Sequence, residues 1–77
     1  MLRNFPYVSL EETGKNIKKL MLENGLTVLD IQEAMGFEYP QAIYKWFWGS
    51  SLPTIENLVV LASLFHTTID KILIIKD

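Results

Sequence analysis

The feature that most constrains this chain is its punctuation. Turn-forming and capping residues recur at short intervals, at Thr13-Gly14, Asn24-Gly25, Thr27, Gly36, Gly49, Thr54 and His66 to Thr68, so every element between them is only a few helical turns long. Isolated helices of that length are marginal in water, and their stability has to come from packing one apolar face against another. With 77 residues and no cysteine, the chain makes one core that neither a disulfide framework nor a thiolate metal site can brace. Apolar residues at 49% against 21% charged set it among folded domains rather than disordered tails.

Between these marks the apolar residues keep helical spacing. Ile17, Leu20 and Met21 share one face of a first helix from near Thr13 to Asn24, while Lys15, Lys18, Lys19 and Glu23 fill the other as a solvated face. Thr27 caps a second helix, with Asp30 placed three residues on as in a capping box, Ile31, Ala34 and Met35 as its stripe, and Gly36 as its end. After the turn G-F-E-Y-P comes a third helix from Pro40 to Trp48, with Pro40 at the first helical position and Ile43, Trp46 and Phe47 at apolar spacing. Thr54 caps a fourth, in which Leu58, Leu61, Ala62 and Phe65 fall at i, i+3, i+4 and i+7, and which stops at His66. Thr68 caps a last short helix from Ile69 to about Leu73.

The first dozen residues carry Pro6 and no period, which divides the chain into an N-terminal arm, 1–12, and a helical domain, 13–77. The apolar tail Ile72, Leu73, Ile74, Ile75 exceeds what one short helix buries on one side. It pairs with another subunit, caps the monomer core, or joins the arm as a short ribbon. Trp46 lies on the face of Ile43 and belongs to the core. Trp48 points elsewhere, either as a surface ring for a ligand or partner or folded back on the arm carrying Phe5 and Tyr7.

One histidine and no cysteine cannot furnish a Ser-His-acid set or a metal cluster, and no paired catalytic carboxylates or phosphate-cradling glycine loop stand beside them. The expectation is a protein that is not an enzyme, with no cofactor, no metal and no inferred small-molecule ligand. The longest apolar stretches, 58–65 and 72–75, are too short to span a bilayer, and the start of the chain lacks a signal-peptide core, so a cytoplasmic protein without a membrane partner is expected.

Two short helices joined by a turn containing glycine, the second opening on polar groups, form the unit by which DNA readers present a helix to the major groove. That groove, roughly 12 Å wide, admits a helix only when its partner braces it from behind. The segments I-K-K-L, G-L-T, D-I-Q-E-A-M-G, I-Y-K-W-F-W-G, L-P-T-I-E-N-L-V-V-L-A and T-I-D-K-I-L follow one another in this order. From about Thr13 to Leu73 the chain thereby resembles the phage-repressor-like regulators of Cro/CI type, the xenobiotic-response-element family, with a turn before the third helix one residue longer than in the phage repressors.

The resemblance implies an all-α, five-helix, lambda-repressor-like helix-turn-helix domain with a short N-terminal arm. It also implies a sequence-specific transcriptional regulator, a repressor, acting on double-stranded DNA; pairing of the apolar tail with another subunit would make it a homodimer whose two reading helices lie roughly 34 Å apart. Carried over by position, it sets Gln41 and Lys45 at base edges, Tyr39 beside them and Ala42 against a thymine methyl. Thr27, Tyr44, Ser50 and Ser51 fall at phosphate-contacting positions.

The same comparison exposes departures. The net charge is −2 and the pI 5.2, where nucleic-acid-binding domains usually exceed about 9. Val28 stands where the family commonly has Gln, and Trp48 where Arg or Lys often precedes the glycine. Lys45 is the only cation between Tyr39 and Gly49, and Glu38 lies near it. A second reading therefore stands beside the first: a protein-interaction module on a helix-turn-helix scaffold, using the aromatic face of Tyr39, Tyr44 and Trp48. Met21 and Phe47 occupy positions where family members often hold an Arg and a Glu. Exchanging a buried ion pair for packed apolar groups is often neutral or stabilising by about 1–4 kcal/mol, which predicts that Met21 and Phe47 touch.

Overall fold

The computed structural model describes residues 5–77, and the first four residues of the expected arm lie outside it. Five helices follow in order, α1 (Leu10–Glu23), α2 (Val28–Met35), α3 (Gln41–Phe47), α4 (Ile55–Leu64) and α5 (Ile69–Ile72), between two short strands, β1 (Tyr7–Val8) and β2 (Ile75–Lys76). Among the described residues no helix is long and apolar enough to cross a membrane.

Helix α1 begins earlier than the spacing of its apolar residues indicates. Ser9, not Thr13, is the N-cap, and its hydroxyl accepts the Glu12 N–H at 3.2 Å, so residues 10–12 belong to the helix rather than to an arm. Thr13 is fully buried within it. The box opening α2 is complete: the Asp30 N–H donates to Thr27 Oγ1 at 3.2 Å while Asp30 Oδ2 accepts the Thr27 N–H at 2.8 Å. Pro40, expected at the first position of α3, is instead its N-cap. Its carbonyl accepts the N–H groups of Ile43 and Tyr44 at 3.0 and 3.3 Å, and no side chain caps this helix.

Helices α1 to α4 close by one device. A residue with left-handed backbone reaches back three residues with its N–H, and the next N–H reaches back five, as with Gly49 to Trp46 O at 3.1 Å and Ser50 to Lys45 O at 2.9 Å. At the first three closures that residue is glycine. At the end of α4 it is His66, φ 53°, whose N–H meets Ser63 O at 3.3 Å while Thr67 N–H meets Ala62 O at 2.9 Å. Gly49, φ 74°, is doubly constrained, because a Cβ there would lie 2.9 Å from the Cα of Glu11.

The core is one cluster drawn from every helix: Ile17 and Met21 from α1, Ile31 from α2, Ile43 and Trp46 from α3, Leu58 and Leu61 from α4, and Ile72 from α5, joined by Phe65. Within it α1 lies close against the end of α3. Gly14 is buried, and a Cβ at that position would collide with the Trp46 carbonyl oxygen.

The tail takes the ribbon alternative. Strands β1 and β2 pair antiparallel, Tyr7 with Lys76 and Val8 with Ile75. Helix α1 holds the segment leading into β2 by its polar groups. The Ser9 N–H donates to Ile74 O at 2.9 Å, the Ile74 N–H donates to the buried Thr13 Oγ1 at 2.9 Å, and Asn16 Nδ2 donates to the carbonyls of Lys71 and Ile72, each at 2.9 Å.

Two stability measurements check this arrangement by urea unfolding. His66→Gly should raise stability by about 1 kcal/mol, since a left-handed non-glycine residue is relieved; a lowered midpoint would mean that the His66 side chain stabilises the end of α4. Gly14→Ala should lower stability by about 3 kcal/mol or more, the overpacking being against backbone that has no rotamer to change; an unchanged midpoint would refute the close approach of α1 to α3.

Candidate nucleic-acid interface

Helix α3 is gripped on its inner side and open on its outer one. Ile43 and Trp46 are buried, with Trp46 only 3% exposed and edge-on to Phe37 at 6.0 Å between ring centres. The turn connecting it to α2 is held by a residue outside the apolar stripe of α2, where spacing gave no warning of it. Gln32, on α2, donates from Nε2 to the carbonyls of Phe37 and Glu38 at 3.4 and 3.2 Å. With Gly14 of α1 seated on its last turn, α3 has little freedom to roll.

The expected base-facing residues are presented outward. Gln41 and Lys45 are exposed, separated by one helical turn, and Tyr39, 63% exposed, precedes them at the end of the turn. Ala42 differs: it is half-buried and packed against the core, leaving only part of its methyl available.

The expected phosphate contacts divide. Ser50 is exposed and Ser51 half-buried in the loop after α3. The Thr27 hydroxyl is committed within the capping box, donating to Asp30 Oδ2 at 2.9 Å as well as accepting the Asp30 N–H. What the start of α2 leaves open is backbone, the N–H groups of Val28 and Leu29, with the Asp30 carboxylate beside them. Tyr44 belongs to an aromatic group rather than standing alone, stacked on Trp48 at 6.0 Å with 27° between ring planes and edge-on to Phe47 at 6.0 Å. Trp48 is 71% exposed, which selects the surface position for this ring.

Beside the outer edge of α3 a cleft of about 510 Å³ opens between α1, α3 and the start of α2. Met21 and Phe47 both line it, the first buried and the second half-buried, and Lys18 sets its ammonium 6.0 Å from the centre of the Phe47 ring. Lys18 is exposed, as its solvated face led one to expect, with its ammonium at the outer limit of contact with that ring. Lys15, one turn away, pairs with Glu11 at 3.3 Å on the surface.

Residues 17–72, from the middle of α1 through α5, match the sequence pattern of the helix-turn-helix family. The chain belongs to the Cro/CI-type helix-turn-helix family. Among solved structures, the crystal structure of the DNA-binding domain of BldD is similar with a TM-score of 0.68, covering 86% of this chain and 94% of that one at 15% sequence identity. At that identity the likeness is one of fold. A comparison with curated proteins finds no match.

In this helix-turn-helix chain, Met21, Val28, Phe47 and Trp48 all line the cleft, at the positions where the resemblance led one to expect polar groups. Gln32 and Lys18 were not signalled by spacing, because a polar residue on a helix flank reads the same whether it faces water or a neighbouring carbonyl.

The juxtaposition of Met21 and Phe47 is open to a double-mutant cycle. Met21→Arg should destabilise by about 3 kcal/mol, as expected for a buried charge without its partner, Phe47→Glu by about 1–2 kcal/mol because Phe47 is half-buried and near Lys18, and the double variant should recover more than about 1 kcal/mol of the summed loss. Strict additivity in urea unfolding would show that the two positions do not face one another.

Proposed function

We propose that the protein is a DNA-binding transcriptional regulator, a repressor, that lays α3 in the major groove of double-stranded DNA. One observation carries this reading: α3 is braced by α1 and α2 along Ile43 and Trp46, while Gln41 and Lys45 stand exposed on its free side. A helix so mounted can enter a groove without rearranging, and its polar edge has the donors and acceptors to read bases. Gln pairs with adenine and Lys with guanine, each good bidentate pair contributing about 1–3 kcal/mol of discrimination. Tyr39 lies beside these two, and the open part of the Ala42 methyl suits a thymine methyl.

Phosphate contacts fall to Tyr44, Ser50 and Ser51 and, at the start of α2, to the backbone behind Thr27 rather than to its hydroxyl. The protein acts as a homodimer in the cytoplasm, and the exposed apolar pair Ile55 and Val59 on α4, one turn apart, supports pairing of two copies.

A second reading has its own support. From α2 through α3, Asp30, Glu33 and Glu38 against Lys45 leave a local charge of −2, one cation less three anions, while Tyr39 and Trp48 are strongly exposed. Such a surface also suits a protein partner.

Fluorescence anisotropy with duplexes selected from a random pool separates the two. For a DNA reader, the wild type should bind with salt-sensitive affinity, Gln41→Ala should relax sequence preference, and Lys45→Ala should weaken binding to all sequences and reduce the salt slope by about 1. Absence of binding at low salt would leave the interaction module as the function.

A further inference from the structure

The cleft beside α3 has the composition of a small-molecule site. Its floor is apolar, built from Met21, Val28 and Phe47, and its wall is the exposed indole of Trp48, kept upright by stacking on Tyr44. Two ammonium groups, of Lys15 and Lys18, stand at its rim, and among the described residues no carboxylate-bearing one lines it. Lys15 shares its charge with Glu11, whereas Lys18 has no carboxylate partner among the described residues and meets only the face of Phe47. The cleft's volume, about 510 Å³, falls within the roughly 300–1,000 Å³ typical of ligand pockets, which are mostly apolar with a few convergent polar groups.

We propose that this cleft binds an aromatic carboxylate, a flat apolar body carrying one negative charge. The ring system would lie on Met21, Val28 and Phe47 with its edge toward Trp48, and the carboxylate would pair with Lys18 and reach Lys15. Charge complementarity selects an anion, because Lys18 at the rim has no carboxylate partner among the described residues, Lys15 alone being paired. Trp48, Tyr44 and Phe47 select a planar π-system, which gains stacking or edge contacts that an aliphatic chain does not. The enclosure on three sides by α1, α3 and the start of α2 suits one or two fused rings and leaves the carboxylate in water, where a surface lysine can meet it without desolvation. This inference does not depend on DNA binding, although the cleft adjoins the edge of α3 proposed to read DNA.

The probe is 1-naphthoate, titrated into the full chain and followed by two-dimensional amide NMR, with 1-naphthalenemethanol as its neutral counterpart. The expected result is saturable shifts at the Trp48 indole N–H and at the amides of Val28, Tyr44 and Phe47. The carboxylate should bind about threefold to fivefold more tightly than the alcohol, the gain expected of an exposed ion pair. Lys18→Gln should reduce that preference to less than about twofold, and Lys15→Gln combined with it should remove what remains, while the alcohol still gives saturable shifts at the same amides. The proposal is overturned by equal binding of acid and alcohol, by saturable shifts centred elsewhere on the molecule, or by no saturation into the millimolar range.

Discussion

The structure depends on the contact of Gly14 with the carbonyl end of α3. Two helices come within backbone distance there because one of them has no side chain at the crossing, and that proximity fixes the pitch at which α3 leaves the body of the molecule. Around it the remaining restraints agree. Trp46 and Ile43 fill the space below, Phe37 closes the flank of Trp46, and Gln32 ties the preceding turn through its two carbonyls. A short helix with no side-chain cap of its own is thereby held more firmly than its length or propensity would allow. Function in this architecture belongs to whatever the held helix turns outward.

Here it turns outward a mixed surface. Gln41 and Lys45 leave polar groups exposed along one edge, while the flank facing α1 is aromatic and apolar through Met21, Val28, Phe47 and Trp48. Its internal part is the least consequential, since Met21 is buried and apolar and carries no desolvation penalty. The exposed part matters more. An indole 71% exposed contributes little to folding and leaves the protein with a sticky face next to its polar edge.

The helices and the core were legible in the sequence because both arise from spacing. Ile17, Met21, Ile31, Ile43, Trp46, Leu58, Leu61 and Phe65 recur at helical intervals between recognisable caps, and all are buried. Boundaries were less legible where two signals compete. Thr13-Gly14 reads as a helix start, yet Ser9 with Glu12 makes the earlier cap, and Thr13 serves as a buried acceptor for Ile74 that no local pattern announces. The outward placement of Gln41 and Lys45 followed from helical geometry and family position together. The engagement of Thr27 with Asp30 was visible as a capping pattern, but only the distances show that it takes the hydroxyl out of use for a phosphate. Lys18 over Phe47 joins residues on separate helices, a relation that one-dimensional spacing does not encode.

The polar grip of α1 on the tail joins positions 55 to 61 residues apart, through Asn16 to Lys71 and Ile72 and Thr13 to Ile74. Such ties have high sequence separation, unlike the local contacts that let small helical proteins assemble fast. During synthesis the helices can therefore form and begin to collapse while the first of them still lacks its seal. The seal on the first helix forms only once the strand that begins at Ile75 is available to pair with Tyr7 and Val8, so it follows the helices between them rather than preceding them.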